Sequence, residues 1–94
     1  MSTAGARWMG RVAEIGCVIC RELGHGYAPA EVHHVAEGSG LRSDYAVAGL
    51  CAEHHRGGSG LHGMGTRAFC ALYRIPGEAE WGLLALVNKW MARA

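Results

Sequence analysis

The chain has 94 residues; half are hydrophobic types, 18% are charged, and the net charge is +1 with histidines neutral. That is the size of one small folded domain, and at this length only about 60–65% of the unfolded surface is buried, so the core is thin and a staple is expected. The small net charge excludes a strongly basic, autonomous DNA binder. With no apolar run in 1–11 and none longer than 81–87 near the end, neither a secretory signal nor a membrane span is expected, which points to the cytoplasm.

In chain order, residues 7–15 form a helix with Trp8, Val12 and Ile15 on one face, broken by Gly16. Cys17-Val-Ile-Cys20 follows as a knuckle, and 21–29 read as a polar loop ending at Pro29. Glu31-Val-His-His-Val35 has the β-branched alternation of a short strand, 36–44 is a glycine-bearing loop, and 45–50 is a returning strand. Cys51-Ala-Glu-His-His-Arg56 opens a short helix that the run Gly57-Gly58-Ser59-Gly60 stops. Thr66 is expected to cap a helix whose apolar face is Phe69, Leu72 and Tyr73. Pro76-Gly77 ends it, and a last amphipathic helix covers 78–92. The whole reads as one domain, 1–94, with its core in about 15–75.

Zinc takes four ligands, commonly as two chelating pairs. Cys17-x-x-Cys20 is one pair, and Cys51-x-x-His54 has the same spacing. His55 competes for the fourth place because 51 and 55 share a helix face. Reduced thiols in this pattern hold metal more often than they form disulfides. A thiol redox reading of Cys17-x-x-Cys20 lacks the surrounding βαβ pattern and leaves Cys51 and the histidines unexplained. Cys70 falls inside a helical pattern and reads as a buried helix residue.

Six histidines are present, and a zinc staple needs one. His33, His34, His55 and His62 cluster around the strand and the glycine-rich turn, whereas His25 sits in a polar loop with no expected role. A hydrolase acting on a phosphodiester needs ligands for a divalent cation and a neutral imidazole to take a proton from water, and histidine serves both near neutral pH.

The order Cys-x-x-Cys, Glu-Val-His-His-Val, then Gly-Leu-Cys-x-x-His-His-Arg-Gly resembles the HNH (ββα-metal) endonucleases. The stretch Leu61-His62-Gly-x-Gly-Thr-Arg-x-Phe69 places it closest to the phage recombination-enhancement nucleases, which act on DNA held in RecA filaments. The resemblance covers about residues 15–75. It implies an α+β fold: a small ββα-metal core with a zinc knuckle staple, flanked by N- and C-terminal helices.

By the same resemblance, Cys17, Cys20, Cys51 and His54 match the structural zinc set, His33 a ligand of the catalytic cation (Mg²⁺, Mn²⁺ or Zn²⁺) and His34 the general base. His55, with His62 as a further candidate, matches the remaining cation ligands. Glu31 shares a strand face with His33 and is a candidate for fixing an imidazole tautomer. Arg42, Arg56 and Arg67 flank the site as candidate phosphate contacts.

One position departs from the motif. Its middle asparagine, expected some five residues before the Cys51 knuckle, is replaced near Ala46, with Asp44 as a candidate substitute. Adjacent strand residues also point to opposite faces, so His33 and His34 serve one site only where the strand end curls. Trp8, Trp81 and Trp90 are expected in the core or on a partner-facing patch.

The expectation is therefore a metal-dependent DNA endonuclease of low sequence specificity, assisted by a partner such as a RecA-type filament. Its rival is a catalytically inactive zinc module that binds DNA or protein.

Overall fold

The computed structural model describes residues 3–36, 40 and 42–94. Its elements are α1 (Thr3–Ile15), α2 (Val18–Glu22), β1 (Glu31–His34), β2 (Val47–Leu50), α3 (Ala52–Arg56), α4 (Leu61–Met64), α5 (Thr66–Leu72), a 3-10 turn (Pro76–Glu78) and α6 (Gly82–Arg93). This is a small α+β arrangement around one two-stranded antiparallel sheet. The register pairs Glu31 with Leu50, Val32 with Gly49, His33 with Ala48 and His34 with Val47. No helix among the described residues is long and apolar enough to cross a membrane.

All four residues of β2 are buried, whereas on β1 burial is deepest at His33. The difference follows from position: β2 packs against α1, α2 and α6 as well as against β1, so its backbone is enclosed on all sides and its sequence, Val-Ala-Gly-Leu, has no polar side chain to place. Val12 and Ile15 of α1, Val18 and Ile19 of α2, Phe69 of α5, Ile75, and Leu83, Leu86 and Val87 of α6 complete one continuous core. The outer strand β1 is left with one face toward the core and one edge toward α3, and this is the strand that carries the histidine pair.

Several boundaries differ from the sequence reading, each for a local reason. α1 begins at Thr3 rather than residue 7, because Ala4 and Ala6 extend the helix cheaply. The returning strand begins at Val47; Tyr45 lies in the preceding turn, where its backbone N–H donates to Ser43 Oγ at 3.1 Å. Thr66 is the first residue of α5 and not its cap, which is Gly65 with φ 90°. Leu72, expected on the apolar face of that helix, is 57% exposed. The last helix starts at Gly82 rather than 78, since Glu78 has φ 52°, a left-handed conformation that no α-helix can include. Trp81, just before it, is 51% exposed, while Trp8 and Trp90 pack at the core margin. The loop expected over 36–44 falls partly on 37–39 and 41, outside the described residues.

The glycine-rich run after α3 makes a tight turn over 57–60 and leads into α4, which packs directly against the end of α3. A Cβ on Gly60 would come within 2.3 Å of the Glu53 carbonyl oxygen, and one on Gly63 within 1.9 Å of the Gly57 carbonyl oxygen. Only hydrogen atoms fit in those gaps. The glycines are what let α4 close onto α3, and α4 carries His62.

Candidate metal centres

Among the described residues, two groups of side chains have donor atoms close enough to hold a cation, and both are built from short elements around the sheet.

The first joins Cys17, Cys20, Cys51 and His54, whose donor atoms lie within 4.8 Å of one another. Cys17 caps α2 and Cys51 caps α3, each with its sulfur accepting the backbone N–H three residues on, at 3.4 Å from Cys20 N and from His54 N. Each pair is therefore a knuckle in which a helix N-terminus turns two ligands to the same point. The sulfur atoms of Cys20 and Cys51 are 3.8 Å apart. His54 Nδ1 is 3.5 Å from Cys17 Sγ, 3.5 Å from Cys20 Sγ and 3.2 Å from Cys51 Sγ.

Tetrahedral zinc with bonds of about 2.3 Å to sulfur and about 2.0–2.1 Å to nitrogen has edges of about 3.8 Å between sulfurs and about 3.6 Å between sulfur and nitrogen. The donor set and its spacing fit a structural zinc ion. Electrostatics agree: burial and the adjacent Cys17 and Cys51 thiols push Cys20 up to about 12, so a cation is what makes a thiolate there. Burial also holds His54 below the usual imidazole range, keeping it neutral as a ligand must be. This geometry separates the two candidates for the fourth position. His54, at the third residue of the helical turn, reaches the sulfurs, and His55, one residue on, is rotated toward β1.

The second group is His33, His55 and His62, from β1, α3 and α4, again with donor atoms within 4.8 Å of one another. The His33 ring lies 5.2 Å from that of His55 and 5.3 Å from that of His62, and the Nε2 atoms of His55 and His62 are 3.1 Å apart. Two ligands at right angles on a cation with bonds of about 2.1 Å are about 3.0 Å apart, so this pair has the spacing of neighbouring ligands. Burial lowers the pKa of His33, against the opposing pull of Glu80, so its imidazole stays neutral and able to bind a cation.

Two carboxylates reach this group. Glu31 Oε1 accepts from His55 Nδ1 at 2.7 Å, and the two carboxylate oxygens together take three hydrogen bonds from the Arg56 guanidinium, the shortest from Nη2 to Oε2 at 2.7 Å. Arg56, and after it His55, holds Glu31 down to about 2. Because a carboxylate only accepts, His55 carries its hydrogen on Nδ1 and its lone pair on Nε2, the atom that faces His62. Glu31 thus settles a tautomer, although that of His55 on the helix and not that of its strand neighbour His33. Glu80, which precedes α6, meets His33 Nε2.

His34, next to His33 on β1, is not one of the three mutually close donors. Its Nε2 pairs with Asp44 Oδ1 at 3.1 Å, and Arg42 Nη2 donates to its Nδ1 at 3.3 Å. Asp44 therefore holds the imidazole in the Nε2–H tautomer and leaves Nδ1 with the lone pair. Of the arginines, Arg42 is engaged with His34 and Arg56 with Glu31, while Arg67 is exposed on α5. His25 is exposed in the loop before β1. Glu80 is the residue that sequence reasoning missed. An acid just ahead of a helix reads as an ordinary complement to the helix dipole, and no spacing rule ties position 80 to position 33.

Comparison with known proteins adds one finding. A family model described as recombination enhancement, RecA-dependent nuclease matches residues 2–81 of the chain. No curated protein and no solved structure matches it.

Proposed function

Because the chain belongs to the recombination-enhancement, RecA-dependent nuclease family, we propose that it is a metal-dependent DNA endonuclease of the HNH type, a single domain whose core is the β1–β2–α3 unit. One observation carries this reading: His33, His55 and His62, from three separate elements, bring their donor atoms within 4.8 Å, apart from the cysteine clamp. A zinc staple alone has no use for a second group of convergent imidazoles.

In this reading His33, His55 and His62 hold a divalent cation, with Mg²⁺, Mn²⁺ and Zn²⁺ as the candidates. When bound, such a cation neutralises charge on the scissile phosphate and stabilises the leaving oxygen. The remaining work falls to the chain. His34 is the general base: Asp44 fixes its Nε2–H, so its Nδ1 lone pair is the one that takes a proton from the attacking water. Arg42, which now donates to that nitrogen, gives way to the water and turns its guanidinium to a phosphate oxygen. Asp44 orients the base in this reading, part of the role that the resemblance gives to the motif's middle asparagine, replaced near Ala46.

Imidazoles and arginines that address phosphate read no base edges, so cleavage has little sequence preference. The family description names RecA, and a net charge of +1 agrees with DNA presented on a nucleoprotein filament rather than captured by the free protein.

The test is nicking of supercoiled plasmid, and of DNA in RecA filaments, with Mg²⁺ or Mn²⁺. His34→Ala should lose about 10²–10⁴-fold in rate, the usual contribution of a general base, with zinc content unchanged. Equal cleavage by both proteins refutes the base assignment.

The departure from the asparagine motif favours one alternative, a zinc module without catalytic activity. Metal stoichiometry separates the two: the enzyme holds one tight zinc and one exchangeable divalent ion, the module the zinc alone.

A further inference from the structure

Glu80 belongs to neither sequence motif, and it lies 47 positions from His33 in the chain. It sits in the turn between the 3-10 segment and α6, where its backbone carbonyl accepts from Leu83 N at 3.0 Å. α6 in turn packs against β2 and buries Leu83, Leu86 and Val87 in the core. The carboxylate is therefore delivered to the strand by a core helix and not by a loose loop. It meets His33 Nε2 with the two side chains only 10% and 14% exposed. Among the described residues, however, Glu80 is not one of the mutually close donors, which are His33, His55 and His62.

The chemistry of that contact decides where the proton on His33 sits. An ionised carboxylate has no hydrogen to give, so Nε2 carries the N–H and Nδ1 is left with the lone pair. The Glu31–His55 pair repeats the arrangement from the other side of the site, with the bonding nitrogen reversed. Two of the three imidazoles thus have one ring nitrogen tied to a carboxylate, and the other nitrogen of His55 faces His62 at 3.1 Å. Metal-binding histidines depend on such a partner for tautomer and ring angle.

We propose that Glu80 is a positioning residue of the three-imidazole site: it locks His33 in the Nε2–H tautomer and presents Nδ1 to the divalent cation shared with His55 and His62. This rests on the reading of that trio as a cation site. It makes the last helix, outside the strand–helix unit that carries the histidines, a structural requirement for cation binding.

The experiment measures Mn²⁺ affinity by calorimetry on the zinc-loaded protein, together with the His33 tautomer from long-range ¹H–¹⁵N correlation spectra recorded without Mn²⁺. Wild type should show the Nε2–H tautomer. Glu80→Ala should bind Mn²⁺ about 10–100-fold more weakly and show mixed tautomers at His33, with zinc content and circular dichroism unchanged. Glu80→Gln, which keeps an acceptor oxygen without the charge, should restore the tautomer and most of the affinity.

Wild-type affinity in Glu80→Ala overturns the proposal. So does a Glu80→Gln protein as weak as Glu80→Ala, because the carboxylate would then act on the cation directly. His33→Ala separates this from failure of the underlying reading: if that variant binds Mn²⁺ as wild type does, the trio is no cation site at all. If only Glu80→Ala is silent, the site stands and the role of Glu80 falls.

Discussion

Removing zinc from the cysteine clamp should unfold the protein, and the size of the effect follows from what the clamp joins. Cys17 caps α2 and Cys20 lies in it, Cys51 follows β2 and caps α3, and His54 lies in α3, so four donor atoms within 4.8 Å tie two helices together beside the buried strand. A structural zinc of this kind contributes on the order of 10–16 kcal/mol at neutral pH. A chain of this length has a net stability of roughly 5–14 kcal/mol, so the ion's contribution is comparable to or larger than the whole margin. Without it, the buried Cys20 thiol, pushed up to about 12, remains protonated against two neighbouring sulfurs, and nothing replaces the lost bonds.

The assay is titration with a strong chelator, following zinc release by a colorimetric indicator and helix content by far-ultraviolet circular dichroism. The two curves should coincide, with one zinc per chain, and Cys51→Ala should be unfolded at room temperature. Cys70→Ala is the control: this cysteine is buried in α5 outside the clamp, so the variant should keep its zinc and lose only about 1–2 kcal/mol to the small cavity. A full helical signal after complete zinc release would refute the reasoning.

Two further outcomes test how the second site is assembled. Gly63→Ala places a methyl group against the Gly57 carbonyl oxygen, so α4 must shift. The expected cost is about 1–3 kcal/mol, with weaker Mn²⁺ binding because His62 moves away from His55; Gly58→Ala, where a Cβ meets open space, should match wild type in both, and equal behaviour of the two variants would count against the close helix contact. The Glu31 network should show as pH dependence. Arg56 and then His55 lower Glu31 from 4.5 to about 2, so the folded state binds fewer protons than the unfolded one, and the stabilisation is present above about pH 4.5 and lost as pH falls toward 2. The difference in melting temperature between wild type and Glu31→Gln should therefore be full near neutral pH and begin to shrink below about pH 4.5; a difference that stays constant into that acid window would show the ion pair to be idle.

How much of this was legible beforehand depended on the range of the interactions involved. The strand pair, the α3 helix and the cysteine knuckles follow from residues within a few positions of one another, and each appears close to where the sequence pattern puts it. The departures are of a different kind. The run 57–60 does stop α3, but a hydrophobic pattern does not show that Gly63 meets the Gly57 carbonyl, so the short helix over 61–64 pressed onto its neighbour has no local signal. Likewise Leu72 fits an apolar helical face and still lies exposed, since nothing in its own turn reports which neighbours will cover it.

The chain's order alone determined the clamp's membership down to a choice between His54 and His55, and the presence of more imidazoles than one clamp could use. That much is local chemistry, because ligands three residues apart at a helix start converge whatever the rest of the molecule does. The tertiary structure decided that His54 turns to the sulfurs while His55 turns to β1, that His62 joins His33 and His55, that Asp44 pairs with His34, and that Glu80 reaches His33 across 47 positions. Those contacts depend on how α4 and α6 pack against the sheet, and packing is settled by the whole core at once.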